Sequence, residues 1–560
     1  MNHAVDSELK MPTAVLHAGG AVAAFHLAYH WDALALMIGF YLFAVASLMR
    51  LGSVRKAFYF GLAVGFGVYA PPLEFFWTVF GPTAVVLWVV LGFWHGIFVA
   101  LARQCRVRFG WSWAVLALPF LWTGLEYFRS EVYHLRFSWL SAGFAFSDSE
   151  LYSPFRWLGV YGIGFLLMTL ASGILLARRR KMALACALSI VAACVLIFAP
   201  AEDPAKRPDA KSLRVAGVQL EFPMPSELKE ALNDLVVREP DADLILLSEY
   251  TFAGPLPDWV KDWCRDNQRH MIIGAHDNVE NGDYYNTAFV IDPKGEIVFK
   301  QAKSVPIQFF KDGLAAPTQK VWDSPWGKMG IGICYDLSYR DVMDQFVAQG
   351  AEALIAPTMD VEDWGREQHH LHARVAPMRS MEYGLPIVRL ASSGVSQLTT
   401  PTGEVMAEAP FPGQRKILAG DLTLAGGGQV PIDRILAPLA FGVTALLAAF
   451  LVFEPGLIWM RNRVRAVARS STQRFGGLWS GPLLNCWSVG CVSRCGQDSY
   501  PSSYALTQRT LQRDSNRAVG LQLRPASVWA EAVAAWVTQR FRPRVCDPSG
   551  GAGRWLPCRH

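Results

Sequence analysis

Glu249, Lys303 and Cys334 are a carboxylate, an ammonium and a thiol, and each follows an apolar run: "LILLSE", "GEIVFKQAK" and "MGIGIC". A thiol must lose its proton before it attacks a carbonyl, and a carboxylate can take that proton and return it to the leaving group. The tetrahedral oxyanion then needs donors, which an ammonium and the backbone N–H after the nucleophile supply. Glu249 would be general base and acid, Lys303 the oxyanion stabiliser and Tyr335 N–H a second donor. The reaction class would be acyl transfer through a thioester at Cys334. Two duller readings compete. Cysteine is a common core filler, and a disulfide between Cys264 and Cys334 would leave no nucleophile.

The elements that must position these residues alternate. "LRVAGVQL" at 213–220 and "ADLILLSEY" at 242–250 read as strands, with the helical "PSELKEALNDLVVRE" between them. "HMIIGAH", "NTAFVID", "GKMGIGICYD", "AEALIAPT", "LPIVRLAS" and "SGVSQLTT" continue the series, with turns at "ENGD", "DPKGE" and "PTGE". Strands and helices in this rhythm predict an α/β domain. Side chains at strand ends are where such sheets carry their sites.

The rest of the chain has a different solvent. Of 560 residues, 52% are hydrophobic, too many for a wholly water-soluble protein, and the apolar runs cluster in the first two hundred positions. A bilayer core takes about 20 apolar residues per helix. Seven spans are expected near 14–30, 33–49, 57–76, 83–101, 111–127, 155–177 and 182–200, and an eighth near 432–454. Arg50, Arg55 and Lys56, then Arg103, Arg106 and Arg108, then "RRRK" at 178–181 and "RNRVR" at 461–465 follow alternate spans. By the positive-inside rule all four groups face the cytoplasm, which leaves the soluble segment external. The net charge of +5 therefore reports topology, and no nucleic-acid partner is expected.

Several separated motifs agree with a known family. Glu, Lys and Cys in this order, "GEIVFKQAK", "GICYD" and "RSMEYGLPIVRLASSG" at 379–394 resemble the carbon–nitrogen hydrolase (nitrilase) superfamily over about 213–423. That resemblance implies a four-layer α-β-β-α sandwich, and it favours Lys303 over the neighbouring Lys300. The domain's place between spans seven and eight, with "EYFRSEVYHLRFSWLSAGFAFSD" carrying Glu126, Arg129, Phe137 and Trp139, resembles the apolipoprotein N-acyltransferase family. Ser138 stands where that family has proline. Its loop glutamate after the lysine falls near Gln308 or Phe309 in "KSVPIQFFKDG", and Asp336 replaces the glutamate after Cys-Tyr. Tyr335, Asp336 and Glu382 are then supporting residues, and Trp139 and Trp364 candidate substrate contacts.

The resemblance implies a bacterial inner-membrane, multi-pass protein with its catalytic domain on the periplasmic side and no cofactor or metal. A phospholipid would donate an acyl chain to Cys334, and the amine of a diacylglyceryl-cysteine lipoprotein would take it. A membrane-bound amidase or nitrilase, an acyltransferase with another amine acceptor, and a non-catalytic membrane scaffold are the alternatives. His369, His370 and His372 point different ways on a helix and read as packing rather than metal ligands. The expected organisation is a membrane domain at 1–203, the external domain at 204–428, a final span and basic flank at 429–465 and a poorly ordered tail at 466–560. Cys486, Cys491 and Cys495 in that tail are too loosely spaced for a zinc site.

Overall fold

The structure is a computed structural model of the chain, described over residues 8–147, 152–177, 210–280, 282–424 and 426–476. Contacts divide the chain into two units, Met1–Asn462 and Arg463–His560, and the first contains both sheets and every helix through Tyr383.

The apolar runs fold as helices α1 (Met11–His30), α2 (Met37–Ser47), α3 (Val54–Tyr69), α4 (Phe75–Phe80), α5 (Ala84–Phe109), α6 (Trp111–Tyr127) and α7 (Tyr152–Leu176). Among the described residues, four stretches are long and apolar enough to cross a membrane: Met11–His30, Phe75–Phe109, Pro154–Leu176 and Asp433–Glu454. Of the others, α2 and α3 are shorter than their predicted spans, and α6 has the predicted bounds, 111–127. The second helix begins at Met37 rather than 33, and the third stops at Tyr69, just before Pro71 and Pro72. The expected seventh span and "RRRK" lie outside the described residues, as does the tail beyond 476. Helices α3 and α5 touch backbone to backbone: a Cβ on Gly65 would sit 2.6 Å from Gly92 Cα. Small residues permit such contact where burial of apolar surface cannot drive association.

The external segment builds two six-stranded sheets. One has the order β12-β1-β2-β3-β4-β5, from β1 (Lys211–Val218), β2 (Leu244–Leu246), β3 (His270–Asn278), β4 (Tyr284–Ile291), β5 (Ile297–Ala302) and β12 (Ile417–Leu424). The other runs β11-β10-β9-β8-β7-β6, from β6 (Val321–Asp323), β7 (Lys328–Ile331), β8 (Ala353–Thr358), β9 (Ile387–Ala391), β10 (Ser396–Thr399) and β11 (Val405–Ala409). Side-chain alternation sorts each strand between two cores. Val215, Leu246 and Ile272 pack in the cluster that holds Leu390 and Leu398 of the second sheet. Ile245, Met271 and Ile273 turn the other way, against Leu228, Leu232 and Val260 of α8 (Pro225–Arg238) and α9 (Asp258–Asn267). Helices α10 (Arg340–Ala348) and α12 (Val375–Tyr383) cover the second sheet, giving the expected α-β-β-α layers. Short α11 (Arg366–Ala373) precedes α12, and α13 (Asp433–Gly476) returns to the membrane portion. The sequence reading missed β6, β11 and β12.

Candidate active site

Two strand ends of the first sheet and one of the second converge and deliver the three predicted residues to one place. Glu249 lies three residues past β2, Lys303 directly follows β5, and Cys334 lies three residues past β7. All three are buried, Lys303 completely. Lys303 Nζ donates to Glu249 Oε1 at 2.8 Å and to Asp312 Oδ2 at 2.7 Å. Asn286 Nδ2 spans the same carboxylates, at 2.6 Å from Glu249 Oε1 and 3.0 Å from Asp312 Oδ1. Met359 N–H donates to Glu249 Oε2 at 2.8 Å, and the Cys334 thiol reaches Met359 O at 3.8 Å.

Burial pushes both Glu249 and Cys334 up from their ordinary values. For Cys334 the nearby Glu249 charge adds to burial, against the pull of Lys303, so the resting form is the thiol with a basic carboxylate as its hydrogen-bond partner. Burial alone would lower Lys303, but Glu249, Cys334 and Asp312 more than offset it and keep the ammonium charged. The cluster thus pairs one fixed positive charge with a proton acceptor and a thiol.

Cys334 has φ +52°, in the left-handed region that side chains avoid. The turn Cys334–Ser338 is held from two sides. Asp336 accepts from Ile333 N–H at 3.1 Å, Ser304 N–H at 3.0 Å and Val305 N–H at 2.8 Å, tying the nucleophile's turn to the lysine loop. Arg379 donates to Leu337 O and Ser338 O at 3.0 and 2.6 Å. Glu382 touches none of the three predicted catalytic residues. It pairs with Arg379 and accepts from Val160 N–H of α7 at 2.8 Å, so any support it gives is relayed through Arg379.

Position bears on several of the neighbouring residues. The carboxylate that the loop after Lys303 brings to it is Asp312, whereas Gln308 and Phe309 line the neighbouring pocket. Asp312 is followed by Gly313 at φ +76°, and "KDG" reads in sequence as a solvent turn, which hid it. Asn286 was also missed, although an amide on an otherwise apolar strand was the available signal. Lys300 lies on the surface with Asp277. Cys264 packs between α9 and the first sheet, in a different cluster from Cys334, and both are free. Among the described residues no group of three His, Cys, Asp or Glu could hold a metal ion.

An apolar pocket opens onto Cys334. Phe75, Phe76 and Leu91 of the membrane helices form one wall, and Tyr335, Trp364 and Phe310 of the external domain another. Trp139 is buried at their junction. Its Nε1 donates to Ser338 Oγ at 2.8 Å, and its ring stacks on His372 with centroids 4.7 Å apart. Such walls suit a hydrocarbon chain and exclude water from a reacting ester.

Comparison with known sequences gives the same two-part organisation. The apolipoprotein N-acyltransferase N-terminal domain matches residues 18–173, and the carbon-nitrogen hydrolase family matches 176–431. The apolipoprotein N-acyltransferase of Shewanella oneidensis is 24% identical over 68% of this chain and 85% of its own length. That of Vibrio vulnificus is 26% identical over 73% and 90%. Among solved structures, Saccharomyces cerevisiae Nit3, a member of branch 10 of the nitrilase superfamily, aligns at 18% identity over 38% of this chain and 90% of that one, with a TM-score of 0.33. With the membrane and hydrolase patterns following one another along one chain, as in relatives matched over most of their length, this protein belongs to the apolipoprotein N-acyltransferase family.

Proposed function

We propose that this enzyme transfers an acyl chain from a phospholipid to the N-terminal amine of diacylglyceryl-cysteine lipoproteins, in two steps through a thioester on Cys334. Glu249 takes the thiol proton as Sγ attacks the ester carbonyl. Lys303 Nζ and Tyr335 N–H stabilise the oxyanion, and Glu249 returns the proton to the departing lysophospholipid oxygen. The lipoprotein amine then attacks the thioester, and the amide product leaves with Cys334 restored. Asp336 and Arg379, the latter backed by Glu382, hold the nucleophile's turn, while Trp139 and Trp364 contact the lipid chains.

The observation that carries this reading is the pocket itself. A thiol flanked by a carboxylate and an ammonium lies at the end of a hydrocarbon-lined space that membrane helices help to build. A small soluble amide needs no such wall. We further infer eight spans in the inner membrane, with residues 1–203 and 429–465 as the membrane portion. Residues 204–428 form the catalytic domain on the periplasmic side, and 466–560 form an extension without part in the reaction.

The test is the intact mass of purified protein incubated with phospholipid, for wild type and Cys334→Ala. The expected result is an added acyl mass on the wild type alone, discharged by a diacylglyceryl lipopeptide far faster than by water. Rapid discharge by water would make the protein a hydrolase, and an adduct on both proteins would place the nucleophile elsewhere.

A further inference from the structure

On the lining of the pocket that opens onto the nucleophile, two residues carry buried acceptor atoms with no donor. Gln368 and His372 are four residues apart on α11, which puts them on one helix face, and both line the pocket with Cys334. Each is 2% exposed. Asp360 Oδ1 takes a hydrogen bond from each, from Gln368 Nε2 at 3.1 Å and from His372 Nδ1 at 2.8 Å. A carboxylate only accepts, so this fixes the remaining atoms: Gln368 turns its oxygen the other way, and neutral His372 carries its proton on Nδ1. Gln368 Oε1 and His372 Nε2 are left without a hydrogen-bond partner.

Asp360 cannot easily move to relieve them. It pairs with Arg389, its N–H donates to Ser392 Oγ at 3.0 Å, and its carbonyl accepts from the same hydroxyl at 3.0 Å. The His372 ring is held flat against Trp139. Unpaired buried acceptors are costly, and two held by one carboxylate on the wall of the pocket that contains the reacting sulfur form a receptor for a donor-rich group. The reaction has one such group that must come within bonding distance of the thioester carbon, the attacking amine. A phospholipid's ammonium is separated from its ester carbon by the whole glycerophosphate.

We propose that Gln368 and His372 form the subsite for the primary amine that discharges the thioester, Gln368 Oε1 orienting one N–H and His372 Nε2 accepting a proton. This rests on the thioester reading above. An arriving ammonium gives one proton to Nε2, leaving imidazolium against Asp360. The freed lone pair forms the C–N bond and the C–S bond breaks, its electrons going to Sγ. A second proton leaves nitrogen and reaches Sγ through Glu249, which restores the thiol. The proton on His372 passes to water when the amide departs.

The experiment uses full-length wild type, Gln368→Met and His372→Phe, all close in volume, with phosphatidylglycerol as an amine-free acyl donor. Loading and discharge are followed separately by intact mass, with a diacylglyceryl lipopeptide and with hydroxylamine, which is small enough to need no subsite. In both variants the lipopeptide discharge rate should fall tenfold or more relative to loading, mainly through KM for Gln368→Met and through kcat for His372→Phe. Hydroxylamine discharge should fall less. Loading and discharge slowed in proportion would mean that the pair only packs the site, and would overturn the subsite. So would loading slowed for phosphatidylethanolamine but not phosphatidylglycerol, which would make it a headgroup site. Should wild type never load, the thioester reading fails instead. Lipopeptide binding to unloaded Cys334→Ala, with and without Gln368→Met, still decides the subsite: tenfold weaker binding supports it and equal affinity refutes it.

Discussion

Asp312 Oδ2 lies 2.7 Å from Lys303 Nζ, nine residues away along the chain, and its Oδ2 also accepts from Ile307 N–H at 2.8 Å. One carboxylate thus fixes both the ammonium and the loop that leads into the pocket. Hydrogen bonds to charged groups contribute about 1.5–3 kcal/mol each. Asp312→Ala should therefore slow Cys334 acylation by about 10- to 150-fold, with a smaller loss for Asp312→Asn, read as the rate of added acyl mass. Unchanged loading in Asp312→Ala would show that Glu249 alone suffices to place Lys303.

Asp336 gives a pH dependence of definite sign. Burial raises its carboxyl to about 6, against the pull of Lys303 and the three backbone N–H donors, whereas an unfolded aspartate titrates near ~3.9. Between these values the folded chain holds a proton that the unfolded chain lacks. The contribution of this group to stability therefore falls as pH rises through that window, and it does not drive acid unfolding. Acid acts on the site instead, because a protonated Asp336 holds the lysine loop and the Cys334 turn less firmly. Loading should drop as pH is lowered through about 6 with no matching fall in Tm from this group. Asp336→Asn should be slower throughout and lack that step.

Glu382 is buried against Arg379, with Arg434 Nη1 3.5 Å away. Removing one partner of a buried ion pair typically costs about 3–5 kcal/mol. Glu382→Ala should lower Tm in detergent and, by freeing Arg379 from its partner, slow loading as well. A variant that loses Tm yet loads at the wild-type rate would show that Arg379 needs no help to hold the turn.

The orientation is testable from one side of the membrane at a time. Lys294 is exposed at a hairpin tip of the external domain, and Val107 is 63% exposed near the end of α5. In a cell whose outer membrane is made permeable, an impermeant maleimide should label Lys294→Cys. It should reach Val107→Cys only after the inner membrane is opened, with the unsubstituted protein as the background. The reverse pattern would turn the whole chain over.

Much of this was legible in sequence because it is written in local pattern. The runs ending in Glu249, Lys303 and Cys334 are β-rich and apolar, and their ends meet because the sheet holding β2 and β5 packs against the sheet holding β7. What stayed hidden depends on distant chain segments. Asp312 reads as a turn residue until the loop folds it onto Lys303, and Asn286 reads as an ordinary strand position until its partners appear across the sheet. β12 pairs with β1 over Lys211–Val218 from two hundred residues away, and no local signal in "ILAGDLTL" announces that edge. Helix lengths in the membrane portion were misjudged where hydropathy continues past a helix end, as it does beyond Tyr69.

The left-handed backbone at Cys334 makes the nucleophile a burden to its own fold. Among the described residues six other than glycine have positive φ, and three of them, Tyr250, Phe309 and Cys334, border the site. A residue with a Cβ loses roughly 1–2 kcal/mol in this conformation. Glycine, ordinarily the less stable choice, should here outlast alanine: Cys334→Gly is expected to melt above Cys334→Ala although neither can be acylated. Mutational drift that is blind to activity would therefore favour glycine over alanine at this position, and only the need for a sulfur atom opposes it.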